Sequence, residues 1–414
     1  MNQEIHSNNL DDILSFCVNL SRHMIVSGAN LERVHLAAEI ICKSYGLTDV
    51  SIYLLSNHIS ISAIDPEGHY SSRQASIPPS GINLERLRSL NQLSYKVAEI
   101  TPTPKTLAKM LERSLVVREY PDWAVLLGRI SAVFFLCLIF GGSLPEVVPI
   151  AAVITLLHYL MRIFERAGLD KIVSNSLIMW VAVSLAIAFF YSNFNNNLAV
   201  VLISVSMLMI PGIPLVNAMR NLVCGRENNG ILQMIKILIE TMALGLGIYV
   251  ALAMFGGFDA LNSTVTVPLT NPALLVVYSF FASMSFGVVF GIPPKDLWLA
   301  GLGGALSRVA IILLPTLIHM RFFYMTSAAL VAATYAEVLA VKRRQPSTYF
   351  AYPSIIPLIP GDLFFYALSG LYFGDKARVE TNGINCLISL AGMSMGFVLS
   401  STVLHYARRI RLQY

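Results

Sequence analysis

Three ionisable residues sit where a lipid-facing helix could not keep them. Glu240, Arg308 and Asp362 each lie about ten or more residues from either end of a long apolar run. A charge at the centre of a membrane helix costs roughly 2.5 to 3.5 kcal/mol even on permissive scales, so all three are expected to face protein interior or water. A zwitterionic solute needs an anion for its ammonium and a cation or helix N-terminus for its carboxylate. Asp362, Arg308 and the half-helix beginning after Pro211 supply that set. Glu240 or Asp362 could also carry a coupling proton, because a desolvated carboxylate takes one up readily. The plainer reading of the same residues is a Glu-Arg or Asp-Arg pair that only fixes helix packing.

The positions of these groups are set by two proline-glycine breaks. One lies in Leu208-Met209-Ile210-Pro211-Gly212-Ile213-Pro214, the other in Ile356-Pro357-Leu358-Ile359-Pro360-Gly361-Asp362. Pro removes a backbone donor and Gly permits conformations that other residues resist, so a regular helix is hard to continue there. Lipid cannot satisfy the freed backbone groups. Such breaks persist only where protein, water or a bound solute takes them up, which makes Pro211, Gly212, Pro360 and Gly361 candidate binding-site elements. Asn217 follows the first break and can offer a donor and an acceptor to a hydroxyl or ammonium, or simply cap the interrupted helix. The two prolines stand 149 residues apart, and the same offset carries Gly142 onto Gly291, Gly225 onto Gly374 and Gly247 onto Gly396. This register predicts an internal duplication.

Composition bounds the class. Of 414 residues 55% are hydrophobic and 13% charged, with a mean hydropathy of +0.65, values of a membrane protein. The net charge of +5 is modest and no Lys/Arg-rich stretch interleaves with aromatics, which argues against nucleic acid. Five scattered cysteines carry no CxxC or Cys/His spacing, so neither a disulfide framework nor a metal site is signalled, and no cofactor motif is seen. Gly392-Met393-Ser394-Met395-Gly396 matches the GxSxG of hydrolases but lies in an apolar helix, where small residues serve packing. An enzyme is therefore not expected.

Residues 1–118 read as a small cytoplasmic α+β domain. Two amphipathic helices flank Ser27-Gly28-Ala29-Asn30, alternating strands run near 50–55, 59–64 and 70–77, and helices follow near 84–100 and 105–117. His23 and His35 could face one another there, with no partner suited to catalysis. From Trp123 about ten apolar runs follow, each near the roughly 20 residues a membrane helix needs. They fall near 123–141, 146–163, 172–191, 197–219, 231–254, 272–291, 296–316, 322–341, 348–370 and 381–405. The basic residues Arg162, Arg166, Lys171, Arg220, Arg226, Lys295, Lys342, Arg343, Arg344, Arg408, Arg409 and Arg411 fall on one side, against Arg321, Lys376 and Arg378 on the other, which puts both termini in the cytoplasm. Two halves of five, 119–256 and 257–414, then enter from opposite sides. The fold expected is a mainly α membrane protein of two inverted five-helix repeats, the architecture by which carriers expose one midplane site to either face. Arg129 is read as snorkelling to the inner face. His158 is read as an interfacial hydrogen-bonded histidine or a proton relay.

At these residues the sequence resembles the threonine/serine exporter family. The resemblance rests on Ser27-Gly28-Ala29-Asn30-Leu31-Glu32-Arg33-Val34, on Pro121-Asp122-Trp123, and on the two blocks Met209 to Ala218 and Ile355 to Gly361. It implies a cytoplasmic domain followed by ten inner-membrane segments, and efflux of small hydroxylated amino acids driven by the proton motive force. Similar proteins divided into two chains are associated with succinate export, so a small dicarboxylate is the alternative cargo. Asp362 stands where the resemblance leads one to expect a small or neutral residue. The expected partners are a small solute and membrane lipid, with a homo-oligomer left open. A membrane-anchored scaffold or sensor, in which residues 1–118 act and the helices only anchor them, is the reading from a different class.

Overall fold

The computed structural model describes the backbone over residues 2–55, 57–78, 81–192, 197–256, 271–343 and 345–411, and side chains within 9–403 of those spans. The expected boundary between halves at 256/257, Arg344 and the side chains of Arg408, Arg409 and Arg411 lie outside the described residues. The chain divides into two compact units. One comprises Met1–Tyr120, Phe290–Pro293 and Val338–Tyr349, and the other comprises Pro121–Val289, Pro294–Glu337 and Phe350–Tyr414.

The first unit is the α+β body the alternation predicts. Helices α1 (Asn2–Val26) and α2 (Leu31–Ser44) pack on strands β1 (Thr48–Leu54), β2 (His58–Ile64) and β3 (Tyr70–Ser76), an antiparallel sheet in the order β1-β2-β3, and α3 (Leu84–Ile100) and α4 (Pro104–Leu115) pack on those helices. In β2 every second residue, Ile59, Ile61 and Ala63, is fully buried, and the strand packs against α1. Each buried Ile contributes roughly 1.5 to 3 kcal/mol. Asn30 caps α2 by accepting from Arg33 N at 2.9 Å, and Asn83 caps α3 by accepting from Arg86 N at 2.9 Å. His35 lies 4.0 Å from Glu39 on the next turn of its own helix, while His23 lies in the field of Arg22 and Arg86. Of the two later segments the unit holds, Phe290–Pro293 is tied in by hydrogen bonds: Leu84 N donates to Phe290 O at 2.8 Å, and the Tyr120 hydroxyl donates to Ile292 O at 2.7 Å.

The second unit is helical. Its elements are α5 (Asp122–Ile139), α6 (Val147–Arg166), α7 (Lys171–Tyr191), α8 (Leu198–Met209), α9 (Gly212–Val223), α10 (Glu227–Phe255), α11 (Pro272–Val289), α12 (Leu297–Leu317), α13 (Arg321–Arg343), α14 (Thr348–Ile355), α15 (Gly361–Phe373) and α16 (Lys376–Arg411). Among the described residues eight helices are long and apolar enough to cross a membrane, and ten spans result if α8 with α9 and α14 with α15 each count as one bent span. The order repeats: α5 to α10 and α11 to α16 follow the same series of lengths and breaks, with a 3-10 turn before the second helix of each half (Leu144–Glu146 and Pro294–Asp296). Packing repeats with it. A side chain at Gly247 on α10 would strike the Ser176 carbonyl of α7, and one at Gly396 on α16 would strike the Thr326 carbonyl of α13. Between helices in lipid there is little hydrophobic drive, so such close backbone approaches supply the association. Gly392 meets the Phe322 carbonyl in the same way, so the GxSxG stretch is a helix-packing face.

Two helices are longer than their apolar runs. α10 begins at Glu227 rather than near 231, and α16 at Lys376 rather than near 381. Their polar first turns extend a helix that the hydropathy pattern alone would have started later.

Candidate functional site

Both breaks fold into the same local structure. Pro211 has φ −77° and ψ 67°, and Pro360 has φ −80° and ψ 56°. These are inverse γ-turns, in which the residue after the proline donates to the carbonyl before it. Gly212 N accordingly donates to Ile210 O, and Gly361 N to Ile359 O, each at 2.8 Å. The helices bend there by 59° and 57°. The arms leading into the breaks, α8 from Leu198 to Ser206 and α14 from Thr348 to Ile355, are buried on every face, as expected of helices that are apolar all round. Their hydroxyls are satisfied inside the helix: Ser204, Ser206 and Ser354 each donate to the carbonyl four residues back.

The breaks meet. A Cβ on Gly212 would come within 2.9 Å of Ile359 Cγ2, and one on Gly361 would collide with Met207. Asn217 Nδ2 on α9 donates to the Tyr352 hydroxyl of α14 at 3.0 Å, a second link between the broken spans of the two halves. The Ser394 hydroxyl of α16 adds a contact to Val216 O at 3.4 Å.

Charge is placed on one side of this junction. Asp362, partly buried in the first turn of α15, accepts from its own backbone N–H and that of Leu363, and lies in the field of Arg321 and Arg308. Arg308 is partly buried and donates from Nε to the buried Ser279 hydroxyl at 2.9 Å. Cys386 Sγ lies 3.8 Å from Pro360 O. The corresponding position of α9 holds Ile213, so only the second half-helix start carries an acid.

The structure thus brings together Pro211, Gly212, Pro360 and Gly361, links Asn217 to this group, and sets Asp362 in the first turn after the second break with Arg308 in its field. Glu240 lies elsewhere. Its carboxylate accepts from Lys171 Nζ at 2.9 Å, and Lys171 is the first residue of α7 and more than half exposed. Lys171 opens α7, so Glu240 is paired at that end of α7. Tyr352 and Ser279 carry no signal in the sequence, and Arg321 carries only that of a loop charge. Tyr352 falls in the buried arm of the second break, and both Tyr352 and Arg321 stand within reach of residues singled out for chemistry.

Two other features complete the inventory. Asp65, Glu67 and His69, in the turn between β2 and β3, have ligand atoms within 4.8 Å of one another. The Asp65 carboxylate is already used inside that turn, accepting from His69 N at 2.8 Å and lying 3.0 Å from His69 Nδ1. A shallow groove between α10 and α15 is lined by Tyr249, Leu252, Phe365, Leu368 and Tyr372, an apolar surface that offers little to a zwitterion.

Comparison with known proteins identifies the chain as a whole. A family model described as "Putative threonine/serine exporter" matches residues 15–255, and one described as "Threonine/Serine exporter, ThrE" matches residues 275–403. A "Probable threonine/serine exporter" of Mycobacterium tuberculosis is 20% identical over 96% of this chain and 78% of its own length. A "Probable succinate transporter subunit YjjP" of Klebsiella aerogenes is 22% identical over 59% of this chain and 94% of its own length, and that of Escherichia coli K12 is 21% identical over 59% and 95%. No solved structure matches the chain. With both family models in chain order over most of its length, the chain belongs to the threonine/serine exporter family.

Proposed function

We propose that this multi-pass membrane transporter is a secondary efflux carrier, exporting threonine or serine in exchange for protons at the junction of its two breaks. The observation that carries the reading is the mutual contact of Gly212 with Ile359 and Gly361 with Met207, which joins an interrupted helix from each half. Beside that junction Asp362 is suited to an ammonium group, while Arg308 and the acid-free start of α9 are suited to a carboxylate. In this reading the side-chain hydroxyl of the cargo binds at Asn217 and Tyr352, which are hydrogen-bonded to each other.

Asp362 also gives antiport a simple logic. A carboxylate can hold an ammonium or a proton but not both, so cargo and proton would compete for one position. In this reading the halves are inverted repeats, both termini are cytoplasmic, and the membrane is the bacterial inner one. The grouping of the N-terminal domain with Phe290–Pro293 and Val338–Tyr349 supports this sidedness, since the charge count also assigns those loops to the inner face. Glu240, engaged by Lys171, is left out of the coupling.

Uptake of labelled threonine or serine into inverted vesicles under an imposed pH gradient tests the proposal. Accumulation that follows the gradient supports it, and uptake indifferent to the gradient rejects the mechanism. A second reading keeps the scaffold and changes the cargo to a dicarboxylate such as succinate. It is favoured by the names of the two enterobacterial relatives and by the pair Arg308 and Arg321. A negative Asp362 works against it, since a dianion would meet a like charge.

A further inference from the structure

His158 is buried to 2% exposure on α6, yet it is enclosed by charge. Its Nε2 lies 2.9 Å from Asp122 Oδ1, at the first residue of α5, and its Nδ1 lies 3.1 Å from an Arg129 terminal nitrogen on the same helix. Arg162, one turn further along α6, also binds Asp122. A guanidinium can only donate and a carboxylate can only accept. One protonation state satisfies both contacts: a neutral imidazole carrying its hydrogen on Nε2, donating to Asp122 and accepting from Arg129.

Adding a proton at Nδ1 turns that acceptor into a donor. The Arg129 N–H then points at another N–H, and a third cation joins Arg129 and Arg162 around the single carboxylate of Asp122. The Arg129 contact has to open, while the Asp122 contact tightens as a charge-assisted bond. Arg129 retains only a weak contact to Met161 Sδ at 3.8 Å and the field of Glu165 and Asp122. The other elements against α6 do not interfere. α8 carries no ionisable side chain, Lys171 of α7 is held by Glu240, and Glu146 before α6 is held by Ser143.

We propose that His158 is a proton-operated latch between α5 and α6: neutral, it ties Arg129 to Asp122, and protonated, it releases Arg129. The step consumes one proton from water and breaks one hydrogen bond. Asp122 and Arg162 are 38% and 46% exposed, so the cluster is open to solvent from the end at which α5 starts and α6 finishes. α5 packs on α8, the buried arm of the first break, and on α11, so a change in how Arg129 holds α5 against α6 is felt at the junction. Resting on the carrier reading, the inference makes this latch the means by which pH on the cytoplasmic side gates access to the site.

Trp123 adjoins Asp122 and is 66% exposed, which makes it a local reporter. The chain has 3 tryptophans, so Trp180→Phe and Trp298→Phe leave Trp123 alone. Fluorescence of that full-length protein is expected to show a transition between about pH 5 and about pH 8, the range in which a histidine titrates. His158→Gln, which can still accept and donate but cannot gain charge, should abolish the transition and flatten the dependence of vesicle transport on cytoplasmic-side pH. Arg129→Gln should keep the fluorescence transition and lose the transport dependence. No transition in the parent, a transition surviving in His158→Gln, or parental pH dependence in Arg129→Gln would each overturn the latch. A transition lost in His158→Gln, in a parent that moves neither amino acid, would uphold the latch and sink the carrier reading instead.

Discussion

Gly212 and Ile359 touch across the two halves of the chain, with room between them for no side-chain carbon: a Cβ on Gly212 would stand 2.9 Å from Ile359 Cγ2. Gly212→Ala is expected to cost about 1 to 3 kcal/mol by overpacking, read as a lower thermal midpoint and slower transport. Ile359→Ala in the same protein should return most of the loss. If the double variant is no better than Gly212→Ala alone, this contact does not hold the junction.

Asp362→Asn removes the acid while keeping a side chain that can still cap α15. For an amino-acid carrier, threonine and serine transport should fall by at least about tenfold, since a charge-assisted bond of about 1.5 to 3 kcal/mol is lost. For a succinate carrier, transport should hold or rise. Paired uptake assays with labelled threonine and succinate on the same vesicles distinguish the two.

Glu240→Gln should leave gradient-dependent accumulation intact. Its ion pair with the half-exposed Lys171 is worth about 1 kcal/mol or less. Loss of proton coupling in this variant, with protein still in the membrane, would return Glu240 to the mechanism.

The α+β unit should lose stability in mild acid. Burial holds His23 below its ordinary value, helped by Arg22 and Arg86. As pH falls through about 6.5 the unfolded chain takes up the proton before the folded one, so stability is full above that pH and declines below it. Hydrogen exchange over α1 in the intact protein should accelerate between pH 7.5 and pH 5.5 once corrected for intrinsic rates, and His23→Gln should weaken the change.

The equivalence of the halves can be tested at a helix crossing far from charge. Gly247→Leu and Gly396→Leu each drive a side chain into a neighbouring backbone carbonyl, of Ser176 and Thr326 respectively. Both should sharply reduce the amount of folded protein recovered from membranes. A tolerated Gly396→Leu would mean that the second crossing is not the counterpart of the first.

Much of this architecture was legible because its signals are periodic or chemical. The alternation of Ile59, Ile61 and Ala63 placed β2, Ser27-Gly28-Ala29-Asn30 marked the break between α1 and α2, and Pro-Gly at 211 and 360 marked both interruptions. What escaped was whatever depends on a distant partner. Glu240 reads as a lone charge in an apolar run, and its partner Lys171 comes from α7, 69 residues away in sequence. Arg321 looked like a loop charge until the fold put Asp362 in its field. The His158 network needs α5 against α6, which no spacing within either helix reveals.

The hydrogen bonds from Leu84 N to Phe290 O and from the Tyr120 hydroxyl to Ile292 O bear on how the α+β unit can be studied. The first supplies a donor to a carbonyl just past the last turn of α11, where a helix end has no partner of its own. Cutting off the first 118 residues would therefore remove most of the unit to which Phe290–Pro293 and Val338–Tyr349 belong, and inactivity of such a fragment would say nothing about regulation. Tyr120→Phe, which forfeits a single hydroxyl and leaves the ring in place, is the gentler instrument.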